Sequence, residues 1–134
     1  MKRRVARIKA VQALYQVEMT DEPIDSAINN VLQDNEVTDP YLESVVQGVV
    51  DHLDELDDVL QASMDNWAID RLARVDRAIL RIALYEIMYS DDVPVNVGIN
   101  EAIEIARGFS SDEEAGKFVN GVLSNAAKRL EEDA

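Results

Sequence analysis

The chain has 134 residues, 47% apolar and 30% charged, with a formal net charge of -14. That length and balance suit one globular domain, or two small subdomains sharing a core, and exclude a disordered chain. Cysteine is absent, which excludes a disulfide framework, a thiolate zinc site and a cysteine nucleophile.

The charge is unevenly placed. Lys2, Arg3, Arg4, Arg7 and Lys9 crowd the first turns, and the first acidic residue is Glu18. An acidic surface repels nucleic acid at long range. A compact basic patch still attracts phosphates, because screening confines such repulsion to about 8 Å at physiological salt. Arg7 and Lys9 interrupt the early apolar residues, so no signal-peptide core forms. No uncharged apolar run approaches the ~18 residues of a membrane helix, and a cytoplasmic protein is expected.

Every long segment reads as helix. In residues 3–19, Val5, Ile8, Val11, Leu14, Tyr15 and Met19 recur at steps of three and four. Lys2, Arg3, Arg7 and Lys9 fall off that stripe; Arg4 falls on it and is expected to precede the regular helix. A break at Thr20–Pro23 leads to a short helix through Ile24, Ala27, Ile28, Val31 and Leu32. Thr38 or Asp39 then caps a helix with Pro40 in its first turn. Val45, Val46, Val49 and Val50 have β-branched side chains but helical spacing, and Leu53, Leu56 and Leu60 continue the same helix. The acidic residues Asp51, Asp54, Glu55, Asp57 and Asp58 lack the glycine and alternation of a calcium loop, and read as a solvated face.

A fourth element holds Trp67, Ile69 and Leu72. Residues 74–89 follow, RVDRAILRIALYEIMY, apolar around most of the helix circumference. Such a helix is buried by neighbours on several sides and is the expected centre of the fold. VPVNVGI, residues 93–99, alternates like a strand but has no partner strand, so a helix from Pro94 to Arg107 ended by Gly108 is expected. The last helix opens with Ser111 as cap and Glu114 three residues later. The fold class is all-α, a bundle of six or seven helices with no β-sheet.

Catalytic signals are sparse. His52 is the one histidine and sits among acids on a helix; no phosphate-binding glycine loop or nucleophile motif is present. Arg81, Glu86 and Glu101 lie within apolar stretches and read as an ion-pair network that sets helix register, with Glu101 the better partner for Arg81. Gly121, after Asn120, costs helix propensity of about 1 kcal/mol and implies close packing of another helix there. Phe118 adjoins Lys117, an aromatic beside a cation, which suits an unpaired base and its phosphate. Helical spacing equally allows core burial of Phe118.

ARIKAVQALYQ, DRAILRIALYEI, DVPVNVGINEAIEIARGF and KFVNGVL, in that order, resemble the best-marked segments of the NusB transcription antitermination factors. The resemblance implies a non-enzymatic all-helical protein of two subdomains, residues 1–66 as a three-helix bundle and residues 67–134 built around the central helix; no cofactor and no metal are expected. It implies binding to single-stranded boxA RNA of ribosomal RNA leaders together with NusE, a small-subunit ribosomal protein. It also implies indirect contact with other Nus factors and RNA polymerase, and leaves a homodimer over the RNA face open. By the same resemblance Lys2, Arg3, Arg4 and Arg7 meet RNA, and Glu114, Lys117 and Phe118 form a second RNA-facing segment beside them. Asp76 falls on the partner side, and an acidic surface suits a basic ribosomal protein. Two alternatives stay open: the NusB-like domain of a ribosomal RNA cytosine methyltransferase, and a helical scaffold that binds only proteins.

Overall fold

Seven α-helices and one 3-10 turn make up the computed structural model, which describes residues 1–134. The helices are α1 (Arg3–Thr20), α2 (Ile24–Val31), α3 (Pro40–Asp51), α4 (Leu53–Ala62), α5 (Arg74–Tyr89), α6 (Val95–Phe109) and α7 (Glu113–Glu132); the 3-10 turn is Ile69–Arg71. No helix is long and apolar enough to cross a membrane.

The central helix is where its composition puts it. α5 packs against α1, α3, α4, α6 and α7, and Ile79, Leu80 and Leu84 are fully buried. α3 keeps its helical spacing despite four valines, with Val45, Val46 and Val49 in the core. Burial of each side chain contributes about 1.5–3 kcal/mol, well above a propensity deficit of at most ~0.7 kcal/mol. Asp39 caps α3 by accepting from the Tyr41 N–H at 2.8 Å. Val95 to Ile99 is helical, with Pro94 just before the first turn.

α1 differs from expectation in phase. Its buried seam is Ala6, Ala10 and Ala13 with Val11 and Leu14, while Val5, Tyr15 and Met19 are exposed. Small alanines allow close approach of the helices that flank α1. The turn of the helix that this requires also buries Arg7 and Lys9 and brings Arg4 into regular helix.

Other boundaries shift for local reasons. The long acidic helix breaks at His52, whose backbone leaves helical geometry, so α3 and α4 are separate. Residues 1–66 therefore hold four helices rather than three. The element around Trp67 is only a 3-10 turn. Gly108 lies inside α6, which runs to Phe109, and Asp112 rather than Ser111 caps α7 by accepting from the Glu114 N–H at 3.0 Å.

Gly121 is a correction. It is exposed on α7, and a Cβ there meets nothing within 4 Å, so no helix packs over it. The close approaches belong to Gly48 and Gly116. A Cβ at Gly48 overlaps the Tyr85 ring, which lies directly on the α3 backbone; at Gly116 it meets Ile103 Cγ2 at 3.3 Å on α6. Gly48→Ala should therefore lower stability by about 1–3 kcal/mol through overpacking. Gly121→Ala should raise it by up to about 1 kcal/mol through helix propensity. Urea denaturation of the two variants checks both signs.

Candidate nucleic-acid interface

The basic start of α1 is sorted by depth. Arg7 is 6% exposed and Glu86 2%. Arg7 Nε and Nη2 donate to Glu86 Oε1 and Oε2 at 2.8 and 3.0 Å, a two-pronged pair across the α1–α5 contact. Tyr41 on α3 donates its hydroxyl to Glu86 Oε2 at 2.8 Å, and Glu101 on α6 lies 3.5 Å from Arg7 Nη1. Burial alone would lower the Arg7 guanidinium, but the hydrogen bonds and charge of Glu86 hold it above its ordinary value. Burial, then the bond to Glu86, pushes the Tyr41 hydroxyl upward. Arg7 is thus committed to the interior.

Arg3 and Arg4 are at the surface. Arg3 Nη2 pairs with Asp92 at 3.0 Å and its guanidinium stands 4.4 Å from the Tyr41 ring centroid. Hydrogen bonds from Ser90, then from Arg3, hold the Asp92 carboxyl below its usual range. Arg4 Nε donates to Glu101 Oε2 at 2.9 Å. Lys2 is exposed and free of ion pairs, whereas Lys9 is buried, donating to the Val31 carbonyl at 3.1 Å and pairing with Glu36. α1 begins with no side-chain cap and no acid in its first turn. Its free N–H groups and positive dipole end add to the field of three exposed cations.

Arg81 does not meet Glu101. Glu101 serves Arg4 and Arg7, while Arg81 makes a two-pronged pair with Asp57 of α4 at 2.8 Å. Glu18, near the end of α1, sits among Arg74, Arg77 and Arg81. Three arginines at helical spacing on α5 hold one carboxylate of α1.

The second expected RNA segment lies elsewhere. Glu114, Lys117 and Phe118 line a groove with Asp76, Trp67, Arg71 and Phe109. That is the α5 N-terminal end, whereas Arg3, Arg4 and Arg7 gather near Glu86. Ten residues of α5 separate Asp76 from Glu86, about 15 Å of helix. Phe118 and Asp76 are therefore neighbours, and the basic rim is not beside them. Phe118 is half-buried, packed on the core, with its ring 5.9 Å from that of Trp67 in an edge-on contact. Asp76 is half-buried with no hydrogen-bond donor, and burial raises its carboxyl above the ordinary value.

Tyr41, Trp67 and Arg71 were not marked by any sequence motif. The one signal the sequence carries for them is that Trp67 is the only tryptophan of the chain.

A rim of surface guanidiniums at one end of α5 and an aromatic groove at the other define an all-helical binding protein. A family model described as NusB matches residues 4–128. The transcription antitermination protein NusB of Bacillus subtilis (strain 168) is 52% identical over 132 residues, covering 98% of this chain and 99% of that protein. The chain belongs to the NusB family. The NusB of Listeria monocytogenes serotype 4a (strain HCC23) is 50% identical over 127 residues, 95% of this chain and 97% of its own. Among solved structures, T. maritima NusB matches with a TM-score of 0.83 at 34% identity, over 96% of this chain and 92% of that one. A structure of antitermination factors NusB and NusE in complex with double-stranded RNA matches at 0.83 and 27% identity, over 95% of this chain and 96% of that one.

Removing one partner of the buried pair leaves a buried charge. Glu86→Gln should cost about 3–5 kcal/mol, whereas Arg4→Ala, at an exposed pair, should cost about 0–1 kcal/mol. Parallel urea melts of the two variants measure the gap.

Proposed function

We propose that this chain is a cytoplasmic RNA-binding antitermination factor that binds boxA of ribosomal RNA leaders together with NusE. In this role it suppresses premature termination by RNA polymerase, with other Nus factors contacting it indirectly. Membership of the NusB family supports this, as does the match to a NusB–NusE–RNA assembly. The observation that carries it within this chain is the division of the α1 arginines. Arg7 is spent on Glu86, while Arg3 and Arg4 remain outside in exposed pairs. Exposed pairs are weak, and a phosphate presents the same acceptor geometry to a guanidinium as a carboxylate does. Lys2, Arg3 and Arg4 therefore form the phosphate-binding rim, and Arg7 fixes the helix that carries them.

RNA that also reaches Lys117 and Phe118 runs along the length of α5. The Asp76 end of the groove is the NusE side. A half-buried carboxylate without a donor favours a basic partner able to supply one. We read residues 1–66 and 67–134 as two packed subdomains that carry the rim and the groove respectively.

With Lys2, Arg3, Arg4 and Lys117 as phosphate contacts, the log–log salt slope of single-stranded RNA binding should be near -3, at about 0.7 per contact. Arg3→Ala/Arg4→Ala should halve that slope and weaken boxA binding while the helical spectrum is kept. Filter binding across a salt series, beside circular dichroism, measures both. Wild-type affinity in the double variant removes the rim from the site.

Asp76 gives a pH signature. Its carboxyl is raised on folding, so ionisation costs stability at neutral pH; the cost begins to shrink as pH falls through the folded value and is gone only below the ordinary, unfolded carboxylate value. Asp76→Asn should therefore be more stable than the parent at pH 7, with the gain vanishing in acid, and should bind NusE more weakly. Thermal melts at pH 7 and in acid, with a NusE pull-down, test the pair of outcomes.

A further inference from the structure

We propose that Trp67 and Arg71 complete, with Phe118 and Lys117, a stacking subsite for one unpaired base of the bound RNA; this rests on the RNA-binding reading above. Trp67 is 56% exposed although the backbone that carries its ring is held from two sides. Gln61 of α4 donates to the Trp67 carbonyl at 2.8 Å and accepts from the Ile69 N–H at 2.9 Å. Arg77 of α5 donates to the carbonyls of Ile69, Asp70 and Leu72 at 3.2, 3.1 and 2.7 Å. Five hydrogen bonds thus fix a short segment whose largest apolar side chain stays in water. A tryptophan left out by a loose loop needs no explanation; one held out by a braced loop presents a surface.

The surroundings define what that surface takes. Phe118 meets the indole at an interplanar angle of 70°, which orients the ring while more than half of the residue stays open. Base–aromatic stacking needs a fixed ring of this kind with cations near enough to neutralise the adjoining phosphate. Arg71 is the first basic residue after Lys9, is exposed and makes no ion pair. The Lys117 side chain is 70% exposed and its only ion pair is with Glu114 on its own helix. Both cations line the same groove as the two rings. The groove's carboxylates, Asp76, Asp112 and Glu114, repel a phosphate from their side, so the RNA backbone lies along Arg71 and Lys117 and the base turns inward. A basic protein segment would meet Arg71 and Lys117 as like charges, so these two side chains favour RNA, whereas Asp76 in the same groove favours the basic partner.

Trp67 is the only tryptophan, so its emission reports on this site alone. The full chain is titrated with boxA-containing single-stranded RNA, reading filter retention and tryptophan emission together. Quenching that tracks retention is expected. Trp67→Ala should weaken binding about five- to hundred-fold, the range for loss of one stacked base, and Trp67→Phe should recover most of it. Arg71 adds a fifth phosphate contact to the four counted above, so the parent slope should be about -3.5 and Arg71→Ala should return it to about -3. Melting curves of the three variants should match the parent, because neither side chain is in the core. Retention with flat emission, or unchanged affinity in Trp67→Ala, overturns the subsite and leaves the RNA reading standing. Emission that responds to NusE but not to RNA assigns the indole to the protein partner and overturns the subsite too. No retention at any RNA concentration overturns the RNA reading and the subsite with it.

Discussion

The buried pair between Arg7 and Glu86 is the contact on which the arrangement of helices depends. It joins the start of α1 to the far half of α5, and Tyr41 adds α3 to the same carboxylate. Burying two charges is costly, so a well-packed apolar pair would give similar or greater stability. What the pair supplies is discrimination. A slip of α1 by one turn would leave both charges buried and unpaired. The Glu18 cluster repeats the constraint at the other end, with the polarity reversed: an acid on α1 and arginines on α5. Two contacts of opposite sense, eleven residues apart on α1, define an antiparallel pair with one register.

That register explains the uneven charge of the chain. The basic cluster at the start of α1 is not one functional unit. Its inner members, Arg7 and Lys9, are structural, anchoring α1 to α5 and to the end of α2. Its outer members, Lys2, Arg3 and Arg4, remain on the rim around an uncapped helix start. The acids that face them, Asp92 and Glu101, hold Arg3 and Arg4 only at the surface, where solvent and salt weaken the hold. An acidic protein thereby keeps a local positive field without losing overall solubility from its net charge.

α5 also separates the two candidate surfaces. Its later turns carry Glu86 and support the rim; its first turns carry Asp76 and border the aromatic groove. The rim offers exposed charge, while the groove offers the Trp67 ring on a braced loop beside Phe118 of α7. Charge attracts any polyanion, and fixed rings read exposed bases, so in the proposed function the two ends would contribute different things to one RNA.

Helical spacing alone determined that the chain is all-α, that residues 74–89 are its centre, and that the valine-rich segment from Val45 to Val50 is helix rather than strand. Sequence also marked Arg81, Glu86 and Glu101 as ion-paired residues, because charges inside apolar stretches must find partners. It did not determine which partners. Periodicity reports the face of a helix, not the helix that faces it, so Arg81 was matched to Glu101 when tertiary packing brings it to Asp57 and Glu18. The alanine seam of α1 was hidden for a related reason: large apolar residues dominate a hydrophobic pattern, yet close helix packing selects small ones. Gly48 and Gly121 look alike in sequence, and only the neighbour decides, a Tyr85 ring over one and open solvent over the other. The position of Phe118 beside Asp76 and Trp67, away from the basic rim, is likewise decided by how α7 and the 3-10 turn pack across α5, contacts that span about 50 residues of sequence and leave no local periodic trace.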